Sequence, residues 1–469
     1  MSLFCSTQKG TIMFDKSNII LGFTGSIGSG SSYISRRMAE LSGNRYSHFK
    51  LSDFIRNELK AEGVDNPSIK QMQDKGNLLR AKHDRDILAV SLLDKIEESD
   101  IKYGHIIVDG IKNDAEVAFF RHLPNFYLFS VNADSAIRRQ RSVGADKAFA
   151  IKDDFLAADE KDAEEDDSNG QQVKKCNYLA DIIIVNEKNY AKAETHERDS
   201  WIDDISKRYV ELIENNVAGK ISPQSSPSVN ELCMTIAYAL SKKSSCLKRK
   251  VGAVIIDTND LSTAKHEKSV AQTLPHIIAS GYNEVPAGLK KCIFSEEYQK
   301  CYRDYLQEEH AKKIKFCPNC GNAVNSEMSC PHCGQMYQKH VKFCDACQKE
   351  IKESYKCDKC KTRVFEEFLP GSKKTPGKLL DLCRALHAEE MAIMQLSKSG
   401  GKGTDNLVLF ATTQPCNLCA NKIATAGIKK VVYAEPYDMI EATTVLKKGK
   451  VEMERFEGVK SSAYFKLYN

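Results

Sequence analysis

Three residues in the C-terminal part of the chain have the side chains and the spacing of a zinc site with one open position. His387 begins a His-Ala-Glu segment, and Cys416 and Cys419 lie in Pro-Cys-Asn-Leu-Cys. One imidazole and two thiolates fill three of the four positions of tetrahedral zinc. A water molecule in the fourth position loses a proton near neutral pH and becomes a nucleophile. The trio therefore predicts a hydrolytic zinc centre.

Glu389 follows His387 by two residues, and we expect it to move protons as the catalytic residue rather than to bind metal. The order His-x-Glu and then Pro-Cys-x-x-Cys is typical of zinc deaminases that act on nucleobases. Each half of the pattern is weak alone, because Pro-Cys-x-x-Cys also fits a structural zinc knuckle. An inert metal site is therefore the alternative interpretation of the trio.

Eight further cysteines form four Cys-x-x-Cys pairs, and a shift of 27 residues superposes the first two pairs on the last two. Each half of this duplication has the spacing C-x2-C-x9-C-x2-C, which supplies four thiolates and leaves no open position, as in a structural zinc site. We expect two zinc ribbons, one held by Cys317, Cys320, Cys330 and Cys333 and the other by Cys344, Cys347, Cys357 and Cys360.

The role of these ribbons is less evident from the sequence. Residues 311–361 contain ten lysines against five acidic residues, which suggests a nucleic-acid surface. Eight thiolates and two zinc ions would add −8 + 4 = −4, however, and so reduce the +5 of this segment to about +1. A role in assembly or partner docking is favoured over nucleic-acid binding.

A glycine-rich loop near the N-terminus could bind phosphate. An apolar run ending at Thr24 leads directly into Gly-Ser-Ile-Gly-Ser-Gly-Ser-Ser, and a helix is predicted to follow. Backbone N–H groups in such a loop attract phosphate. The lysine usual in this motif is replaced by Ser31, so phosphoryl transfer should suffer more than binding. The expected phosphate contacts are Gly25, Gly28, Gly30, Ser31 and Ser32, and a turn that binds nothing is the alternative.

The elements around these motifs predict an α/β protein. Apolar runs at 18–24, 105–109, 126–131 and 181–185 alternate with segments of helical period, as in a parallel sheet with helical crossovers. A second α/β pattern starts near residue 231 and is interrupted by the cysteine-rich block. The acidic stretch from Asp153 to Asp167 is expected to be a solvated, mobile lid or loop, with a specific cation site as the alternative.

Composition shifts divide the chain into four parts. We predict a domain at 1–217, a linker at 218–229, a second domain made of 230–290 and 376–469, and an insertion at 291–375. The chain has 469 residues, a formal charge of +5 and 17 cysteines. It has neither an apolar run long enough for a membrane span nor a signal-peptide core, so we expect a cytoplasmic protein.

The second domain resembles the deoxycytidylate deaminase family. The resemblance includes the zinc motif and the segments 244–253, 281–286 and 427–433. It implies a cytidine-deaminase-like α/β/α fold, one catalytic zinc ion, and substrate contacts from Asn283 and Tyr437. A turn-forming asparagine is the alternative role for Asn283. Glu284 and Met391 replace a glycine and an asparagine that are usual in the family, so dCMP and dCTP both remain candidate substrates.

The first domain resembles nucleoside monophosphate kinases and dephospho-coenzyme A kinase over residues 18–190. The resemblance rests on the glycine-rich loop, Leu51–Arg56, Arg80, the Asp109-Gly-Ile-Lys segment, Arg138, Arg139, Arg141 and 180–186. It implies a P-loop fold with a nucleotide at the loop, and Asp109 would hold Mg²⁺ indirectly. Capping of the next element is the alternative role for Asp109. Because the loop lysine is missing, a regulatory or structural role is favoured over active phosphoryl transfer.

The order of the two domains resembles that of bacterial antiphage deaminases, which deplete dCTP by converting deoxycytidine nucleotides to deoxyuridine nucleotides. This resemblance also implies a homo-oligomer and restraint by a small RNA. We expect the substrates to be nucleotides and the protein to have no membrane partner. Two other functions stay open: a deaminase of single-stranded nucleic acid, with the ribbons as its binding platform, and a nucleotide kinase with an accessory zinc module. A zinc-dependent scaffold is the weakest alternative.

Overall fold

The computed structural model of this protein leaves several parts of the chain outside its description. It describes residues 3–6, 11–14, 16–43, 45–98, 104–144, 148–188, 195–221, 225–258, 276–294, 300–305, 315–316, 323–329, 336–337, 346–347, 354–357, 363–365, 383–400, 406–437 and 439–468.

The strands fall into an N-terminal group, a short-strand group in the cysteine-rich block and a C-terminal group. The first group is β1 (Leu3–Ser6), β2 (Thr11–Phe14), β3 (Ile20–Thr24), β4 (Tyr46–Lys50), β5 (His105–Asp109), β6 (Phe126–Asn132) and β7 (Ile182–Val185). After β8 (Gly252–Asp257) and β9 (His276–Tyr282) come β10 (Lys315–Phe316), β11 (Ala323–Ser329), β12 (Met336–Tyr337), β13 (Ser354–Cys357) and β14 (Arg363–Phe365). The last group is β15 (Leu407–Thr413), β16 (Lys430–Glu435), β17 (Glu452–Arg455) and β18 (Gly458–Val459).

The described helices lie mainly between these strands. The first nine are α1 (Ser31–Leu41), α2 (Leu51–Ala61), α3 (Ile69–Lys82), α4 (Ile87–Glu98), α5 (Asp114–Phe120), α6 (Ser135–Ser142), α7 (Lys152–Ala163), α8 (Val173–Leu179) and α9 (Thr195–Val217). The others are α10 (Val229–Ser241), α11 (Ala388–Lys398), α12 (Asn417–Thr425), α13 (Ile440–Lys448) and α14 (Ser461–Leu467).

The N-terminal half is built on a six-stranded sheet in the order β18-β7-β6-β3-β5-β4. Strands β3 to β7 are parallel to one another, and their buried apolar residues pack against helices on both faces. Helices α2, α4, α5 and α8 cover one face, and α1, α9 and α14 cover the other. The predicted α/β class with a parallel sheet is confirmed, because each of the four predicted strands is present.

The C-terminal half is built on a mixed five-stranded sheet in the order β17-β16-β15-β8-β9. Strands β15, β16 and β17 are parallel, whereas β8 is antiparallel to both β9 and β15. Helices α11, α12 and α13 pack on one face and α10 on the other. This arrangement has the three layers expected of a deaminase-like fold.

The cysteine-rich block contributes short antiparallel strands in the order β10-β11-β13-β14, with β12 paired to β11. Of the eight cysteines predicted to form the ribbons, Cys347 and the backbone of Cys357 fall within the described segments. The other six lie outside the described residues. The two ribbons, each with four cysteine ligands, therefore stay a prediction.

The acidic stretch at 153–167 differs from the loop that we expected. Most of it belongs to helix α7, which packs Phe155 and Ala158 into a small core. Asp162 is fully buried, where Lys112 forms an ion pair with it. Composition alone predicted solvation, but a long-range cation allows a carboxylate of this stretch to be buried.

The two halves are joined by the last strand of the chain. Strand β18 runs antiparallel to β7 and so adds a sixth strand to the N-terminal sheet. Helix α14 then packs Ala463 and Leu467 into the core beneath that sheet. The C-terminal segment thus belongs structurally to both halves, whose predicted boundaries remain predictions.

Candidate active site

The three predicted zinc ligands come together at the starts of two helices. His387 is the N-cap residue of α11, and Cys416 is the N-cap residue of α12. The Nδ1 atom of His387 lies 3.2 Å from Sγ of Cys416 and 3.3 Å from Sγ of Cys419. The three donor atoms all lie within 4.8 Å of one another. Tetrahedral zinc bonds of ordinary length would separate nitrogen from sulfur by about 3.6 Å, so the donor set fits zinc.

The two thiols differ in how readily they ionise. Hydrogen bonds with Cys419 and then with His387 lower the pKa of Cys416 to about 4. The hydrogen bond with Cys416, reinforced by burial, instead raises the pKa of Cys419. The hydrogen bond with Cys416 raises the pKa of His387. Two adjacent thiolates need a positive charge between them, which a zinc ion would supply.

Glu389 lies in the first turn of α11 and has only 4% of its surface exposed. Burial raises the pKa of its carboxyl group, although the nearby His387 acts in the opposite direction. The same helix carries Glu390, which instead forms an ion pair with Lys422. Only the first of these two neighbouring carboxyl groups lines the cavity described next.

A cavity of about 340 Å³ opens over the zinc ligands. His387, Cys416 and Glu389 lie in its wall. Further lining residues differ in character: the cations Lys248, Arg249 and Arg303, the polar residues Asn283, Gln414 and Tyr437, and the cysteines Cys246, Cys301 and Cys383. A cavity with converging polar groups beside a metal donor set can hold a small polar molecule.

Asn283 and Tyr437, the predicted substrate contacts, both line this cavity. The side-chain amide of Asn283 accepts from the Val251 backbone N–H at 2.7 Å and donates to the Arg249 carbonyl at 2.9 Å. The Arg249 guanidinium in turn lies 5.2 Å from the centre of the Tyr437 ring. Asn283 therefore holds the Arg249 segment against the cavity, a role that its sequence motif did not indicate.

Glu284, one of the two unusual residues of the motif, points toward the segment before β8. Its carboxylate accepts from the Ser245 hydroxyl and from Lys291 Nζ at 3.2 Å. Burial opposes ionisation, but the hydrogen bonds from Ser245 and Val285 lower the pKa of Glu284 overall. Its backbone also pairs with Leu386, next to His387. Glu284 thus connects the Ser245 segment to the metal-binding helix.

The backbones of β9 and α11 approach each other closely at Gly281. Met391, the second unusual residue, lies at this contact. A Cβ atom built on Gly281 in β9 would lie 2.4 Å from the carbonyl oxygen of Ala388 and 2.6 Å from the nitrogen of Ala392. It would also lie 2.9 Å from the Cβ of Met391. Only glycine lets β9 and α11 approach this closely.

The predicted phosphate loop joins β3 to α1, with Gly25 to Ser29 in the turn, Gly30 as the N-cap, and Ser31 and Ser32 opening the helix. Gly28 and Gly30 have φ angles of 78° and 92°, which favour glycine. The Ser31 hydroxyl donates to Asp109 at 3.3 Å. The loop therefore has the expected backbone path, but Ser31 faces a carboxylate where the motif usually places a cation.

Several polar groups of this loop already have partners within the protein. The Ile27 N–H donates to the buried Asp162 carboxylate at 3.2 Å. The Ile27 carbonyl accepts from Arg138 at 3.0 Å, and the Ser29 carbonyl accepts from Asn186 at 2.7 Å. A phosphate at Ile27 would have to displace Asp162, so the loop in this form fits a nucleotide poorly at that group.

Sequence reasoning did not identify several residues of the active-site cavity. Arg303, Cys301 and Cys383 come from segments that carry no deaminase motif, on either side of the cysteine-rich block. The only sequence signal was residue type, since all three are polar or reactive. Their distance in sequence from His387 and Cys416 concealed their proximity in space.

The part of the chain that carries this site is similar to known proteins. Residues 227–435 match the family model described as the cytidine and deoxycytidylate deaminase zinc-binding region. The chain is 23% identical over 342 residues to a deoxycytidylate deaminase of Schizosaccharomyces pombe, which covers 72% of this chain and 73% of that protein. It is 27% identical over 205 residues to the deoxycytidylate deaminase of enterobacteria phage T4, covering 44% of this chain and 77% of the relative.

A solved structure is also similar to half of the chain. The dCMP deaminase of cyanophage S-TIM5, in complex with dCMP and dUMP, aligns with 50% of this chain and 99% of its own, at 21% identity and a TM-score of 0.25. A likeness this low adds nothing to what the residues establish.

These matches confirm the expectation of an enzyme, a hydrolase that acts on amidines. The three predicted zinc ligands all lie within the residues that match this deaminase model. None of the helices in the described ranges combines the length and the apolar character needed to cross a membrane.

Proposed function

We propose that the chain hydrolyses the 4-amino group of deoxycytidine nucleotides, dCMP, dCTP or both, to give deoxyuridine nucleotides. One observation carries the proposal: His387 and Cys416 line one cavity with a buried carboxyl group, and the Cys419 donor atom lies within 4.8 Å of theirs. When bound by His387, Cys416 and Cys419, zinc lowers the pKa of water and so supplies the nucleophile. The C4–O bond forms, the C4–N bond breaks, and ammonia leaves.

Glu389 is the proposed proton carrier of this reaction. Its carboxyl group lies in the cavity wall two residues from His387 and can receive the proton released from water. The same group can protonate cytosine N3 and then the departing amine. Because Glu389 is almost fully buried, bulk water does not compete for these proton transfers.

The cations of the cavity support a phosphorylated substrate. Lys248, Arg249 and Arg303 line the cavity that holds the proposed metal centre. Asn283 fixes the carbonyl of Arg249, and so positions the backbone of that residue. Guanidinium groups bind phosphate through paired hydrogen bonds. A phosphate would give these cations an anionic partner in the cavity that a nucleoside lacks, so we expect preference for nucleotides.

Substitution of Glu389 tests the assignment. We expect Glu389→Gln to lower kcat by about 10²–10⁴-fold and to leave the zinc content unchanged, because glutamine cannot carry the proton. Glu390→Gln is the matched control, since that carboxyl group pairs with Lys422 instead. The products from dCMP, dCTP, deoxycytidine and a cytosine-containing oligonucleotide would be measured. Uracil formation by Glu389→Gln at the normal rate would refute the role of Glu389.

The oligonucleotide separates the proposal from nucleic-acid editing. A nucleotide deaminase should turn over dCMP or dCTP and leave the oligonucleotide intact, whereas an editor should do the reverse. Arg303→Gln should raise KM for the nucleotide and leave KM for deoxycytidine nearly unchanged, because the arginine is proposed to contact phosphate. Equal effects on both substrates would contradict that contact.

We further propose that the P-loop domain has a regulatory or structural role. The eight ribbon cysteines are proposed to hold two structural zinc ions. The protein is also proposed to be a cytoplasmic homo-oligomer. The contact of Asp162 with the Ile27 N–H supports the first point. In the sequence, residues 317–320 fall between β10 and β11, which pair with each other, and residues 358–360 fall between the paired strands β13 and β14. Zinc knuckles have the same position between paired strands. Three zinc ions per chain would be found by elemental analysis.

By resemblance alone, we propose that the reaction depletes dCTP in antiviral defence and that a small RNA restrains it. The order of a kinase-like domain followed by a deaminase domain supports this proposal. Infection of cells carrying the wild-type chain or Glu389→Gln, with dCTP measured in both, would test it.

A further inference from the structure

Two short segments that flank the cysteine-rich block lie in the wall of the active-site cavity. Residues 300–305, here called the first flank, contribute Cys301 and Arg303 to this wall. Residues 383–387, the second flank, contribute Cys383 and His387 and run directly into the metal-binding helix α11. The described chain on both sides of the block therefore meets at the proposed catalytic centre, although the first flank carries no deaminase motif.

The two flanks contact each other through Tyr302 and Arg384. The Arg384 guanidinium lies 3.3 Å from the centre of the Tyr302 ring, well within the range at which a cation is attracted to an aromatic face. Within the first flank, the Tyr305 N–H donates to the Cys301 carbonyl at 2.9 Å. Because Arg384 and His387 belong to the same segment, the ring contact connects the first flank to the metal donor set.

Asp304 links the first flank to the segment before β8. Its carboxylate forms ion pairs with Lys248 Nζ at 2.6 Å and with Arg303 Nε at 3.8 Å. Both partners are cations of the active-site cavity, whereas Asp304 itself does not line it. The Lys248 side chain is 53% exposed, so solvent screens its attraction to Asp304. We therefore expect the carboxylate to act mainly by fixing where the two cations lie.

We propose that Asp304 and the Tyr302–Arg384 contact are positioning elements, which set the affinity of the active site for the phosphate of its substrate. Asp304 holds Arg303 and Lys248 at the cavity, and the ring contact fixes the first flank against the second. The effect on nucleotide affinity rests on the proposed function, whereas the contact between the flanks does not.

Substitution of Asp304 distinguishes positioning from simple repulsion. A carboxylate that merely repelled phosphate would weaken binding, so its removal would lower KM for dCMP. If Asp304 positions the cations, Asp304→Asn should instead raise KM for dCMP about two- to fivefold, the size expected for a partly exposed ion pair. Its kcat, and its KM for deoxycytidine, should stay nearly unchanged because deoxycytidine has no phosphate. An unchanged or lower KM for dCMP would overturn the proposal.

Two further variants serve as controls for this measurement. Glu452→Gln breaks an ion pair between β16 and β17, where Glu452 lies 3.1 Å from Lys430, and should leave both KM values unchanged. In the Arg303→Gln background, Asp304→Asn should change KM for dCMP by a smaller factor than in wild type, because one of its two partners is gone. The same factor in both backgrounds would overturn the positioning of Arg303.

The contact between the flanks is tested at Tyr302. Tyr302→Leu removes the ring beneath Arg384, so backbone amides of both flanks should exchange hydrogen faster than in wild type, and KM for dCMP should rise. Tyr302→Phe keeps the ring and should restore slow exchange and the normal KM. Full-length protein is used throughout, and exchange is followed by mass spectrometry of peptides that cover the two flanks. Exchange in Tyr302→Leu as slow as in wild type would overturn the contact.

Hydrogen exchange requires no turnover, so the two levels of the proposal can fail separately. Faster exchange in Tyr302→Leu, together with no deamination of dCMP or dCTP by the wild-type chain, would reject the proposed function and support the contact between the flanks. Deamination by wild type, together with equal changes of KM for dCMP and for deoxycytidine in Asp304→Asn, would support the function and overturn the role of Asp304 in phosphate recognition.

Discussion

The metal-binding centre and the glycine-rich loop are both built where a loop meets the start of a helix, yet they differ in what their polar groups contact. His387, Cys416 and Cys419 point at one another beside a cavity of about 340 Å³. In the loop, the Ile27 N–H donates to the carboxylate of Asp162, and the Ile27 carbonyl accepts from Arg138. One site offers donors to a ligand, whereas the other has already used several of its polar groups.

The difference shows that a motif predicts the path of the backbone more reliably than it predicts whether the polar groups there are free to bind a ligand. Both motifs adopt the local structure that their spacing predicts. Whether a ligand can bind depends on side chains that arrive from elsewhere, such as Asp162, which lies 135 positions from Ile27. Variants of the two sites can test this comparison.

Loss of a metal ligand should have the largest effect. We expect Cys416→Ser to lose one zinc ion per chain and to lower turnover by more than the roughly 10²–10⁴-fold that a proton-transfer group contributes, because the nucleophile is lost with the metal. Zinc content and deamination of dCMP would be measured. Asn421→Ala, on the exposed side of α12, is the control. Full zinc content in Cys416→Ser would contradict the assignment of the ligand.

A smaller effect is expected when the metal-binding helix is displaced. In Gly281→Ala, the new methyl group would meet the Ala388 carbonyl, so α11 must move away from β9. We expect a loss of about 1–3 kcal/mol in the free energy of unfolding, together with a lower kcat. Chemical denaturation and steady-state kinetics would measure both. Ser280→Ala serves as the neighbouring control, and an unchanged kcat in Gly281→Ala would show that α11 tolerates the shift.

Removal of Asp162 should make the loop more like the metal centre. Asp162→Ala frees the Ile27 N–H and removes a negative charge, so we expect the affinity for ATP at the loop to rise about tenfold. Asp162→Asn keeps an acceptor for that N–H and should raise it less. Binding would be followed in wild type and in both variants by calorimetry. Equal affinity in wild type and Asp162→Ala would mean that Asp162 does not block the loop.

The smallest effect concerns a single proton. Burial raises the pKa of Asp162 above its ordinary value of 3.8, although Lys112 acts against this shift. In the pH range between the two values, the folded state binds more protons than the unfolded state, so the contribution of Asp162 to stability falls as pH rises. Asp162→Asn lacks this titration. As pH increases from about 4, the free energy of unfolding of Asp162→Asn should therefore rise relative to that of wild type. A difference that stays constant with pH would contradict the raised pKa.

The sequence was informative where the residues of a site lie in short, ordered segments. His387 and Glu389 share one helix turn and the two cysteines share another, and the order of these two halves predicted that they would meet. The buried strands were predicted from their apolar runs. Arg303, Cys301 and Cys383 escaped prediction because they reach the cavity through long-range packing. The acidic stretch was misinterpreted for the same reason: its burial depends on Lys112, 50 positions from Asp162.

The pairing of β18 with β7 has a consequence for the synthesis of the protein. The Val185 N–H of β7 donates to the Glu457 carboxylate at 2.8 Å, a contact that spans 272 positions in the chain. At about 5–20 residues per second, a ribosome needs roughly 15–55 s to travel that distance. Throughout this time the apolar β7 has an open edge on which another nascent chain can pair. The solubility of the N-terminal half during translation is therefore governed by residues that have not yet been made.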